Sequence, residues 1–219
     1  MTMKIQSFTQ NMLRLATPTG VCLAFPSFLE ASITLNSGIE NLRDMPVSSF
    51  ERQQRFQFME TYFSLVIDIT GDGSGLNDVL GEFYGKYVRN DYVMTPQHIY
   101  DMLPGLFSAD TVNMRIADYH CRSGRKLLAA ARFNRALRLY GADPDITMVR
   151  MALLNLCLNG LTGEIAWYDA RNDIFHATWS VGPDYRGKPV IRELNAINSL
   201  IFQKRTHEKP DMSRLIFAY

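Results

Sequence analysis

Apolar positions in the first half of the chain recur at helical spacing. Phe56, Met59, Phe63, Val66 and Ile67 fall on one face of a helix predicted to begin near Ser48 or Ser49. The break Gly71-Asp72-Gly73-Ser74-Gly75 stops that helix, and Leu76, Val79, Leu80, Phe83 and Tyr87 restart the same period. A further helix is expected after Thr95-Pro96, with proline in the first turn where its missing N–H costs nothing.

The second half reads differently. Strands are predicted at 114–118, 139–143, 164–169 and 175–181, with helices at 123–138 and 146–158 between the first three. Val190 to Phe202 has helical spacing, and Arg214 to Tyr219 suggests a last strand. Strands alternating with helices of this length imply an α/β fold with a parallel sheet and right-handed crossovers. The boundary is expected between Phe107 and Val112, giving an N-terminal helical region over 1–108 and an α/β domain over 109–219.

Composition narrows the class. With 219 residues and 47% apolar content, the chain can bury one sizeable core. A net charge of +1 gives no global field to recruit DNA or an acidic membrane, so any such contact would be a local patch. The three cysteines, Cys22, Cys121 and Cys157, are odd in number and widely spaced, which fits reduced thiols. No run approaches the ~20 apolar residues of a membrane span. A soluble, cytoplasmic protein that does not engage membranes is expected.

Chemistry concentrates between Ile116 and Asp169. A short apolar run ends in Asp118-Tyr119-His120-Cys121-Arg122-Ser123-Gly124-Arg125, a tight turn followed at once by helix. Tyr140-Gly141-Ala142-Asp143-Pro144-Asp145 and Gly163-Glu164-Ile165-Ala166-Trp167-Tyr168-Asp169 follow. A strand–turn–helix with acids at the ends of the next two strands is how an open α/β sheet builds a nucleoside pocket. Arg122 stands where such a turn favours glycine.

Further fragments extend the pattern: Asp78-Val79-Leu80-Gly81-Glu82-Phe83-Tyr84, Met94-Thr95-Pro96 and Asn155-Leu156-Cys157-Leu158-Asn159-Gly160. In this order, the fragments from Asn77 to Asp169 resemble the modification-subunit type of adenine-specific DNA N6-methyltransferase. The resemblance implies a Rossmann-like S-adenosylmethionine-methyltransferase sheet, here truncated, after an N-terminal helical region. It also implies a cofactor site formed by Thr95, Asp118, Ser123, Gly124, Asp143 and Asp169. In that family the turn wraps the methionine part of S-adenosylmethionine. The matching residues then give Asp143 the ribose hydroxyls and Asp169 the adenine amino group, with Thr95 beside the cofactor.

Two departures matter. Arg122 and Tyr119 replace the family's glycine and proline, and an arginine in a close-approach turn would fill the pocket or displace the backbone. The family's catalytic N/D-P-P-Y/F segment, which holds a flipped adenine, is absent. Its nearest relic is Gly182-Pro183-Asp184-Tyr185, which keeps a proline and an aromatic ring but lacks the polar acceptor. The stretch after Tyr185 has room for one helix and one strand, so no target-recognition module is expected.

Other motifs carry less. Asp68 to Gly73 has a calcium-loop glycine, but Val79 stands where the loop needs glutamate. His98, His120, His176 and His207 lack ligand spacing, so no metal site is expected. Arg125, Lys126, Arg132, Arg135 and Arg138 read first as a solvated helix face. Two functions follow from the resemblance: a catalytically degenerate, methyltransferase-like module tied to restriction–modification through a protein partner, or an active S-adenosylmethionine-dependent methyltransferase with an atypical acceptor site or a partner subunit. DNA contact and oligomeric state stay open.

Overall fold

The computed structural model describes residues 7–38, 52–71, 76–93 and 115–206. Among the described residues four helices come first: α1 (Phe8–Ala16), α2 (Val21–Leu35), α3 (Arg52–Thr70) and the short α4 (Val79–Phe83), which runs into a π turn over Tyr84–Val88. Then come β1 (Arg115–Asp118), α5 (Arg125–Phe133), β2 (Arg138–Asp143), α6 (Ile146–Leu158) and β3 (Thr162–Asp169). The described part finishes with β4 (Ile174–Pro183), β5 (Pro189–Leu194), a 3-10 turn (Ala196–Asn198) and α7 (Leu200–Thr206). The expected boundary, the helix after Thr95-Pro96, the start near Ser48 and the strand at Arg214–Tyr219 lie outside the described residues.

The five strands form one sheet in the order β1-β2-β3-β4-β5. β1, β2 and β3 are parallel and joined through α5 and α6, a Rossmann-like α/β unit. β4 and β5 are antiparallel additions beside β3, which corrects the expectation of a wholly parallel sheet. The reason is chain length. Only residues 170–173 separate β3 from β4, enough for a hairpin and far too few for a crossover.

The segment read as a helix over Val190–Phe202 is also different. Pro189–Leu194 pairs with β4, from Thr178↔Leu194 to Pro183↔Pro189, and helix resumes only at Leu200. Val190, Ile191, Leu194, Ile197 and Ile201 reproduce a helical stripe in sequence, but Ile197 is 80% exposed. Sheet pairing outweighs that local period.

One apolar core runs through both regions. Phe8, Phe25, Phe28, Phe58 and Phe83 interlock at ring separations of 5.2–5.6 Å. The same core continues through Leu127, Leu128, Leu153, Leu154 and Ile165 to the sheet. Helix α6 is buried along almost its whole length because it lies between the sheet and α2. Asp145 starts it, accepting the Thr147 amide at 2.7 Å. On α3 the inward stripe is Phe58, Tyr62, Leu65 and Ile69, whereas Phe56 and Phe63 are exposed. Among the described residues no single helix is long and apolar enough to cross a membrane.

Helix α7 covers the other face of the sheet, with Ile201 against Ala142, Ala166 and Tyr168. Its start is set by Glu164 of β3. That buried carboxylate accepts Ser199 Oγ at 2.5 Å and the Leu200 and Ile201 amides at 3.1 Å each. A carboxylate there satisfies unpaired first-turn donors and complements the helix dipole. Glu164→Ala should therefore lower the unfolding free energy by about 2 kcal/mol. In denaturant titration, a loss below ~0.5 kcal/mol would contradict this capping role.

Candidate functional site at the carboxyl ends of the parallel strands

The parallel strands deliver Asp118, Asp143 and Asp169 to one end of the sheet, as the sequence implies. Local structure then ties each of them into the protein. Asp118 has a fully buried side chain, and Lys126 Nζ of α5 lies 2.8 Å from both carboxylate oxygens. The His120 amide adds a donor at 3.2 Å. A buried carboxylate needs such a partner, because unpaired ionisation in the interior is prohibitively costly.

The turn from β1 into α5 is held by the Cys121 amide donating to the Ala142 carbonyl at 2.9 Å. Gly124 has φ +83°, and a Cβ there would stand 3.2 Å from the Ala152 methyl, so both conformation and space demand glycine. Arg122 also adopts a left-handed backbone, with φ +51°. Its guanidinium donates to the Val93 carbonyl and lies 5.9 Å from the Tyr92 ring centroid. The side chain therefore folds back over the segment before Met94-Thr95-Pro96, which itself lies outside the described residues, Thr95 included.

Asp143 faces inward. Its carboxylate accepts the Arg122 amide at 2.9 Å and the Asp145 amide at 3.0 Å, and His120 Nδ1 stands 3.7 Å away. Only 3% of the side chain is exposed. Burial pushes its carboxyl above the usual range. Asp169 is more accessible but closes the β3–β4 turn, accepting the Arg171 amide at 2.9 Å, the Asn172 amide at 3.2 Å and Asn172 Nδ2 at 2.7 Å. The Asn172 side chain holds its carboxyl below the usual range.

Ser123 is fully buried and does not face outward. Its hydroxyl donates to Asp78 Oδ2 at 2.6 Å and accepts from Tyr92 OH at 3.2 Å. Asp78 Oδ1 accepts the Gly81 amide at 2.9 Å and Asn155 Nδ2 at 2.8 Å; Asn155 Nδ2 also reaches the Ser123 carbonyl at 2.8 Å. One carboxylate thus joins α4, the β1–α5 turn and α6. Gly81 is required by close approach, since a Cβ there would sit 2.6 Å from Ser123 Oγ. The fragments quoted from the sequence around Asp78, Ser123 and Asn155 converge here, in a packing role that their resemblance alone does not reveal.

Gly182-Pro183-Asp184-Tyr185 lies at the far end of the sheet. β4 runs antiparallel, so Val181 pairs with Gly163 near the start of β3 and the turn projects away from the acids. Asp184 closes that turn by accepting the Arg186 and Lys188 amides at 2.8 Å each, and Tyr185 is 84% exposed. The relic and the strand-end acids therefore belong to opposite edges. At the acid edge stands a residue that sequence reading passed over: Trp167, paired in register with Asp143. Its indole N–H donates to the Pro144 carbonyl at 2.9 Å, and its ring stacks on His176 at 4.1 Å. The register alternation of β3 was its only sequence signal.

As arranged, each oxygen of Asp143 already accepts one backbone amide, only 3% of its side chain is exposed, and Arg122 covers the adjoining segment. Among the described residues no cluster of three or more His, Cys, Asp or Glu could hold a metal ion.

No protein-family profile matches the chain, and no curated protein does. Among solved structures, a Listeria monocytogenes protein bearing the name of a class I S-adenosylmethionine-dependent methyltransferase is similar, at 14% identity and a TM-score of 0.48. The match covers 72% of this chain and 52% of that protein, so this chain spans about half its length. At that level the fold assignment rests on the strand order itself.

Asp78 generates a test of the network. Burial raises its carboxyl from 3.8 to about 6 against the hydrogen bonds that would lower it. A carboxyl raised in the folded state favours folding while protonated. Its contribution is thus full below pH ~4 and lost as pH rises through about 6. Asp78→Asn, which imitates the protonated form, should flatten the stability profile between pH 4 and 7 by about 3 kcal/mol relative to the native protein. Parallel profiles for the two proteins in denaturant melts would contradict this assignment.

Proposed function

We propose that the chain is a DNA adenine N6-methyltransferase-like protein that has lost catalysis and acts as a binding or regulatory module linked to restriction–modification. The observation that carries this reading is the double engagement of Asp143 by the Arg122 and Asp145 amides, with the Arg122 side chain laid on Tyr92 and Val93. The acid that would meet a ribose is buried and already accepts two backbone amides. The segment that would carry a catalytic acceptor is a hairpin turn at the opposite edge.

In this reading the strand–turn–helix is kept for its shape. Asp118, Ser123 and Gly124 position α5 and the turn, and Asp169 shapes a hairpin. A protein partner, such as a modification subunit, supplies the function. Its contact with DNA, direct or through that partner, belongs to the same proposal.

A second reading has one observation in its favour. The turn keeps a left-handed glycine at Gly124, and three strand-end acids remain at one edge. On that basis the chain is an S-adenosylmethionine-dependent methyltransferase whose acceptor site is completed by another polypeptide. Here Asp143 would have to exchange its amide partners for ribose hydroxyls, and Arg122 would have to leave Val93.

Calorimetric titration with S-adenosylmethionine separates the two. The native protein is expected to show no saturable binding at concentrations up to ~1 mM, a threshold equivalent to about 4 kcal/mol. Arg122→Gly is expected to gain at most weak binding, since Asp143 stays engaged by Asp145. Micromolar binding by the native protein would overturn the degenerate reading and favour the second.

A further inference from the structure

The cations grouped on one helix in the sequence divide between the two ends of the sheet. Arg125 and Lys126 open α5 at the carboxyl end, where they meet Glu82 and Asp118. Arg135 and Arg138 follow α5 and lie at the amino end, the edge opposite the strand-end acids.

Strand register builds a row there. Arg138, the first residue of β2, pairs with Arg115 of β1 on one side and with Thr162 of β3 on the other. A Cβ on Gly182 of β4 would stand 3.6 Å from Thr162 Cγ2, and the turn beyond Gly182 carries Tyr185, Arg186 and Lys188. Arg135 joins the row by donating to the Asn159 carbonyl, just before β3. With strands about 4.8 Å apart, the row spans on the order of 15 Å from β1 to the turn.

The segments that form this end are Arg115, 134–138, 159–162 and 183–189, and they hold five cations and one carboxylate. That carboxylate, Asp184, is turned into its own hairpin by the Arg186 and Lys188 amides at 2.8 Å each. Like charges side by side on neighbouring strands cost stability, so the fold gains nothing from the Arg115–Arg138 pairing. A net charge of +1 conceals this concentration, because Asp118, Asp143 and Asp169 collect at the other end.

Tyr185 stands out of the turn with 84% of its surface exposed, and the Arg186 guanidinium lies 4.9 Å from its ring centroid. The guanidinium covers one ring face and leaves the other to solvent. We propose that the amino end of the sheet binds single-stranded nucleic acid, with phosphates along Arg115, Arg138, Arg186 and Lys188 and a base stacked on Tyr185. Cations that track a backbone beside an open aromatic ring are how proteins hold single strands without reading sequence. This gives the DNA contact suggested above a site, and it requires neither methyl transfer nor a link to restriction–modification.

Fluorescence anisotropy of a labelled thymidine oligonucleotide of about 20 residues, titrated with the full chain, tests this. Saturable binding with Kd below ~10 μM is expected at about 50 mM salt, weakening at least about fivefold by about 200 mM. Arg138→Gln and Arg186→Gln should each weaken it at least about threefold and flatten the salt dependence, whereas Arg171→Gln at the opposite end should not. Tyr185→Ala should cost about fivefold or more for the single strand and leave affinity for the matching duplex unchanged. All these side chains lie outside the core, so the variants keep the fold. No saturation by ~100 μM protein, or an unchanged Kd in either the cation variants or Tyr185→Ala, would overturn the proposal. Equal competition by polyglutamate would overturn it too and make this end a site for an acidic protein. The S-adenosylmethionine titration probes the other end of the sheet, so the two results are independent.

Discussion

The carboxyl end of the sheet depends on one buried carboxylate. Asp78, from a helix of only a few residues, binds the amide of Gly81, the hydroxyl of Ser123 and the amide group of Asn155. Each partner belongs to a different part of the fold. Without that centre, α4 would lose its buried polar anchor, keeping the Glu82–Arg125 ion pair, and the turn after β1 would lose the bond that draws Ser123 inward. Low local dielectric makes such a network strong when complete and costly when any member is missing. It therefore fixes the turn conformation as well as joining the N-terminal helices to the α/β unit.

That conformation has consequences for chemistry. With Ser123 drawn inward, the backbone at Arg122 is held left-handed and its amide points at Asp143. Asp143 and Asp118 then serve the fold from within, one through amides and the other through Lys126. The same residue types that could receive a nucleoside are used as structural acceptors. A fold can host several functions, so these side chains, and not the strand order, decide what the site does.

Much of the architecture was legible. The strands ending at Asp118, Asp143 and Asp169, and the helix begun by Asp145, follow from short apolar runs bounded by acids and turns. The direction of β4 was less obvious, although the short span over 170–173 already favours a hairpin. β5 was hidden because Val190 to Ile201 has helical spacing and its pairing with β4 is a tertiary fact. On α3, two apolar faces exist, and only packing chooses Phe58, Tyr62, Leu65 and Ile69 over Phe56 and Phe63. At the site, sequence located the acids but not their partners: Lys126 and the Arg122 amide reach them only once the turn is formed. Asp78 and Asn155 stood in recognisable fragments, yet their side-chain roles needed three distant segments to meet.

The central claim is that Asp143 is an internal acceptor. Amide hydrogen exchange at Arg122 and Asp145 tests it most directly. In the native protein both amides should be protected, on the order of a hundredfold or more, as hydrogen-bonded buried groups are. In Asp143→Ala that protection should vanish while Leu153 and Leu154 in α6 stay protected. Free exchange at both amides in the native protein would contradict the account and leave Asp143 available to a ligand.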